Sequence, residues 1–161
     1  MRSHPLHRYV AGMGAIALLG LISTVAPRMT HAGVDGDVRA GVAADPDGVA
    51  IGGGILTPVG SSRHWYFNPN VDLTMGDSRD VFAMNGDFHY DLNTSGPAFW
   101  IGGGPALMVV DRDGAADNDT DVGLNVLTGI GKKHGDVRPF AQVRGTVADD
   151  SRVQIAGGIR F

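Results

Sequence analysis

Turn-forming residues break the chain at short, even intervals from Gly33 to its end, and that spacing limits what it can fold into. The breaks are DPDG at 45–48, GSSR at 60–63, GDSRD at 76–80, NTSGP at 93–97, DGAADNDTD at 113–121, KHGD at 133–136 and DDSR at 149–152. Seven breaks leave eight segments, 34–44, 49–59, 65–75, 81–92, 98–111, 122–132, 137–148 and 153–161. Short segments separated by Gly, Asp, Asn and Pro mark antiparallel hairpins. Within most segments the residues alternate, as side chains on the two faces of a strand must. Trp65, Phe67, Val71, Leu73 and Met75 oppose Asn68, Asn70, Asp72 and Thr74, while Phe82, Met84, Phe88 and Tyr90 oppose Asn85, Asp87, His89 and Asp91. Val137, Ala141, Val143 and Val147 oppose Arg138, Gln142, Arg144 and Thr146, and the first and eighth segments alternate similarly. The second and fifth are glycine-rich or apolar on both faces. Composition agrees with an all-β chain: there are 25 glycines, and all 17 acidic residues are aspartate, a poor helix former, with no glutamate.

Residues 1–32 have a different character. Arg2, His4, His7 and Arg8 form a basic start, YVAGMGAIALLGLISTVA is an apolar run, and Thr30–His31–Ala32 ends in small residues. This is the pattern of a signal peptide cut between Ala32 and Gly33. The expected division is therefore a signal peptide at 1–32 and a β-barrel domain at 33–161. That domain keeps all 17 aspartates and ten of the 13 basic residues, a formal charge of −7. Such a balance disfavours nucleic acid, which binds basic faces. The absence of cysteine excludes a disulfide scaffold and thiol chemistry. No stretch after residue 32 approaches the roughly 18 apolar residues of a membrane helix, so any membrane crossing must use strands.

Alternation alone does not say which face is inside. A soluble barrel buries its apolar face, whereas a membrane barrel turns it to lipid and lines its lumen with polar groups. With the first strand rising from the periplasmic side, Trp65, Phe67, Tyr90, Phe99, Trp100, Phe140 and Phe161 fall near the periplasmic strand ends, with only Phe82 near the outer end. Aromatic bands of this kind form at membrane interfaces. The longest break, 113–121, is then extracellular, and membrane barrels have short periplasmic turns with longer outer loops. The expected fold is an eight-stranded antiparallel up-and-down transmembrane barrel.

The final residues VQIAGGIRF place Val153, Ile155, Ile159 and Phe161 at alternate positions before the chain end. They resemble the C-terminal targeting strand of bacterial outer-membrane proteins. The whole of 33–161, with VRPFAQVRG before the last hairpin, resembles the small OmpA/OmpX-like outer-membrane β-barrel family. The resemblance implies recognition by the barrel-assembly machinery, residence in the outer membrane, and Phe161 at the inner interface. It is a resemblance of fold and carries over no activity. Outer-membrane lipid and lipopolysaccharide are the expected partners, and a monomer the expected state.

A lumen lined by Asp35, Asp37, Arg39, Asp72, Asp87, His89, Asp91, Arg138, Arg144 and Arg160 would be narrow, and its charges should pair because unpaired buried charge is costly. Such a set forms either a structural ion-pair plug or a narrow gated pore. The loop DRDGAADNDTD at 111–121 has five aspartates, which suggests calcium, yet EF-hand spacing with its closing glutamate is missing, so a solvated acidic loop is expected. His64, His89 and His134 lie on different segments without metal-ligand spacing. The repeated IGGG at 51–54 and 101–104 lacks the G-x-G-x-x-G pattern of a dinucleotide site and is read as curvature of the wall. No catalytic, cofactor-binding or metal-ligating residue is expected. The leading reading is a non-catalytic outer-membrane barrel with a structural, surface-interaction or narrow-pore role. The alternative is a secreted or periplasmic soluble barrel that binds an apolar ligand as lipocalins do.

Overall fold

Alternating apolar and polar side chains, with β-branched and aromatic residues on one face, suit a pleated surface whose two sides meet different surroundings. In the computed structural model these segments become β1 (Asp35–Ala44), β2 (Gly48–Val59), β3 (Trp65–Gly76), β4 (Arg79–Asp91), β5 (Ala98–Arg112), β6 (Asp119–Gly131), β7 (Arg138–Val147) and β8 (Arg152–Arg160). The boundaries lie within three residues of those expected. The structure describes residues 33–62, 64–92, 95–112 and 119–161. The segment 1–32 and residues 113–118 of the acidic loop lie outside the described residues.

Each strand pairs antiparallel with its neighbour in sequence, and β8 closes on β1 from Asp37↔Arg160 to Ala44↔Val153. Closure fixes a stagger. The row Trp65–Tyr90–Ile101–Thr128–Val143–Ile155–Val42–Val49 returns to β3 at Met75, ten residues from where it left. Ten residues of about 3.3 Å set against eight spacings of about 4.8 Å tilt the strands by roughly 40° and give a backbone radius of roughly 8 Å. A cylinder of that size holds side chains and little else.

The outward face is apolar around all eight strands: Val42, Val49, Val71, Phe82, Ile101, Val126, Val143 and Ile155 are all exposed, and Val122 keeps 72% of its surface. The inward face carries the buried polar residues, among them Asp37, Arg39, Asp72, Asp87 and Arg144. This distribution is the reverse of a water-soluble protein, in which the apolar face turns inward. It is also the reverse of what a lipocalin-like apolar cavity requires.

The lumen is layered along its axis. Val81, Ala83, Met108 and Val110, with Ala148 against them, form an apolar layer toward the rim farther from Gly33 and Phe161. The charged residues fill the middle. Trp100, Leu127 and Phe140 form a second apolar layer toward the rim that carries Gly33 and Phe161. The aromatic band near that rim is thus divided between two faces. Trp65, Phe67, Phe88, Tyr90 and Phe99 face outward, with Trp65–Tyr90 and Phe67–Phe88 ring centroids 5.0 Å apart. Trp100 and Phe140 are buried in the lumen and do not belong to an outer belt. The cause is parity: Trp100 follows the outward Phe99, and Phe140 shares its face with Arg138 and Gln142.

Candidate functional site

The middle layer draws its side chains from β1, β3, β4, β6 and β7, at inward positions set by the register. Arg39 on β1 reaches across the lumen floor: its Nε donates to Asp72 at 3.0 Å and its Nη1 to Asp37 at 2.8 Å. Arg144 on β7, which faces β3 across the barrel, donates to Asp72 and, at 2.6 Å, to Asp87. Asparagines link these pairs. Asn70 Oδ1 accepts from Arg39, from Asn85 at 3.0 Å and from Arg144 at 3.1 Å, while its amide donates to Asp87 at 2.9 Å. Asn125 donates to Asn85 at 2.9 Å and Asp87 at 2.8 Å, and Thr146 donates to Asn125 at 2.7 Å. Asn68 donates to Asp37 at 3.0 Å.

All six carboxylate oxygens of Asp37, Asp72 and Asp87 therefore accept at least one hydrogen bond. Two guanidiniums face three carboxylates in a water-poor interior, where charge-assisted bonds are strong and an unpaired member is expensive. The carboxylates are saturated by donors and shut away from solvent, so the cluster offers no free base or open ligand set. What it does is tie five strands together through the centre of the barrel.

The structure places the other expected lumen residues nearer the rims. Arg138 pairs with Asp35 at 2.6 Å, both half-buried. Arg160 lies with its guanidinium carbon 4.2 Å from the Trp100 ring centroid and 4.9 Å from that of Phe140, a cation–π contact closing the terminal rim. His89 is buried and stacks against Trp100 at 6.2 Å, His64 Nδ1 lies 3.3 Å from the Asp91 carbonyl oxygen, and His134 is exposed on a turn, so the three histidines do not converge. At the far rim Arg79 joins Asp45 at 2.6 Å and Asp150 at 3.0 Å.

The neutral members Asn68, Asn70, Asn85, Asn125 and Thr146, together with Arg152, were absent from the charge-based expectation. The signal for five of them was parity, each sitting an even number of residues from an expected charged position on its strand; β6 carried no such expected position from which Asn125 could be found. The IGGG runs also need correction. They are less curves in the wall than crossing points beneath the network. Gly52 lies between Arg39 and Asp72 in register, and a Cβ there would stand 2.0 Å from Asp72 Oδ1. Gly104 lies on β5, between Asn125 on β6 and Asp87 on β4, and a Cβ there would meet the Gly86 carbonyl oxygen at 2.0 Å. Only glycine leaves the path clear.

No family model and no curated protein matches the sequence. Solved structures do. The N-terminal β-barrel domain of Pseudomonas aeruginosa OprF superposes with a TM-score of 0.63 at 10% identity, covering 80% of this chain and 95% of that one. Neisserial surface protein A superposes with a TM-score of 0.62 at 18% identity, covering 79% of this chain and 94% of that one. The fold is that of the small outer-membrane barrels. Within that barrel fold, the closed eight-strand order and the polar lumen are the features that position every residue described above.

Proposed function

We propose that the protein is a non-catalytic outer-membrane barrel that spans the bilayer with a sealed interior and presents short acidic loops at the cell surface. The observation that carries this reading is the unbroken apolar exterior around a hydrogen-bonded ionic interior. Lipid satisfies the first, and in the second Arg39 and Arg144 pair with Asp37, Asp72 and Asp87. The two solved barrels of like fold support the same setting. In this reading Ala32–Gly33 is the cleavage point, the rim with both chain ends faces the periplasm, and the strand ending at Phe161 is presented to the barrel-assembly machinery. Lipid and lipopolysaccharide surround the monomer.

The role is structural or one of surface interaction rather than conduction. Two apolar layers and the Arg–Asp layer between them oppose an ion path, because a permeating ion would meet both desolvation and fixed counter-charges. Cell fractionation with a heat-modifiable gel shift tests the setting: recovery in the soluble periplasmic fraction without detergent would sink it. Planar-bilayer recording tests the seal, with steady unitary conductance of the unmodified protein as the refuting result.

A further inference from the structure

β8 sends two buried polar side chains into the lumen beyond the ionic layer, Arg152 and Gln154, both 4% exposed. A guanidinium presents its N–H groups in a planar fork, and its Nε–Nη2 edge can grip one anion with two parallel bonds. In Arg152, Nη1 donates to Thr74 Oγ1 at 3.3 Å, while Nε and Nη2 meet no acceptor among the described residues. One whole bidentate edge of a buried cation is thus unpartnered. The amide nitrogen of Gln154, two residues on along the same inward face, has no acceptor there either. Nor has Nε of Arg144, the register partner of Gln154 on β7. Between β8 and Thr74 the wall is β1 and β2, whose inward residues at this height are Ala43, Gly48 and Ala50. They carry nothing larger than a methyl group and no side-chain acceptor.

The carboxylates of the barrel are engaged elsewhere. Both oxygens of Asp72 and of Asp87 are taken by Arg39, Arg144 and the asparagines. Asp37 is held by Arg39 and Asn68 and is the register partner of Arg160. Arg152 stands eight residues from Arg160 on the same strand, about 26 Å along it. At the rim nearer Arg152, Asp45 and Asp150 pair with Arg79. Water would answer the unpartnered fork poorly, because it brings two O–H groups that need acceptors of their own. Among the described residues, every buried side-chain atom without a partner is a nitrogen, and the ring nitrogens of His89 lie against Trp100, toward the other rim. An anion only accepts, and it also offsets a buried charge that is costly when left alone.

We propose that the lumen binds one small monovalent inorganic anion, of the size of chloride or bromide, in the Nε–Nη2 fork of Arg152, with the Gln154 amide as a further donor. Val81, the register partner of Thr74, begins the apolar layer that borders this site and limits it to a small, readily dehydrated ion. The site needs only the closed lumen, so its failure leaves the membrane-spanning reading untouched.

The protein, produced from its full chain and folded into detergent micelles, is unfolded in urea while chloride rises from about 3 to about 300 mM, with gluconate holding the ionic strength constant. Each tenfold rise in chloride above the dissociation constant should raise the folded-to-unfolded ratio about tenfold. Bromide should act in the same way, and crystals soaked in bromide should show an anomalous peak at the Arg152 fork. Arg152→Met should abolish the chloride response. Gln154→Glu should abolish it for a different reason: it sets a carboxylate beside Arg152, so in gluconate this variant should be more stable than the unmodified protein. Stability indifferent to chloride, a response that survives both substitutions, or a Gln154→Glu variant weaker than the unmodified protein in gluconate overturns the site.

Discussion

Removing the Arg144 guanidinium should show how much the central network contributes. Arg144 holds Asp72 from one side and, among the described residues, is the one guanidinium bonded to Asp87, which otherwise accepts there only from Asn70 and Asn125. Arg144→Met keeps most of the volume and removes the charge, leaving one arginine, Arg39, against the three carboxylates Asp37, Asp72 and Asp87. Breaking a buried pair by deleting one partner costs about 3–5 kcal/mol, because the remaining charge is left uncompensated. The folded-to-unfolded ratio should therefore fall by roughly two to three and a half powers of ten. Urea unfolding of the reconstituted barrel, followed by tryptophan fluorescence and by the folded band on an unheated gel, measures this. Adding Asp87→Asn removes the orphaned charge and should return most of the loss. A cost below about 1 kcal/mol for Arg144→Met, or a double substitution no better than the single, would refute the picture of a coupled ionic layer and reduce it to solvated side chains that happen to meet.

Three further outcomes are expected. Val143→Arg places a charge on the outer face and should cost insertion about 2–4 kcal/mol if it lies near the bilayer midplane, read as loss of the folded band in vesicles. Gly52→Val should destabilise by about 2 kcal/mol or more, because its side chain occupies the path between Arg39 and Asp72; an unaltered urea midpoint would contradict the crossing-point role. Replacing Trp100 and Phe140 together by Ala removes the terminal apolar layer and frees Arg160 from its rings, and it should raise single-channel leak in planar bilayers above that of the unmodified protein while Trp65 alone still reports insertion.

The strands and their faces were legible in the sequence because alternation is a local property: Trp65 to Met75 and Phe82 to Tyr90 sort without knowledge of any neighbour. Turn residues supplied the boundaries for the same reason. What escaped depends on register, which no single strand contains. Asn70 accepts from β1, β4 and β7 at once, and nothing in NPNVD says so. Gly52 and Gly104 look like weak points in their own strands and become necessary only once Arg39 and Asn125 are seen to reach across them. Trp100 and Phe140 were assigned by height along the barrel, which the sequence conveys, although parity had already turned them inward.

The ten-residue return of the outward row has a consequence for how such a chain can change. In a closed wall the stagger is a whole number shared by all eight strands, so no strand owns it. Slipping one strand by a single residue exchanges its lipid and lumen faces; slipping it by two alters the circumference and pulls Arg39, Asp72 and Asp87 out of reach of one another. Insertions and deletions are thereby driven out of the wall and into the rims, where acidic turns can lengthen or shorten without the rest of the cylinder responding. The cylinder behaves as a fixed integer, and its loops as the only free variable.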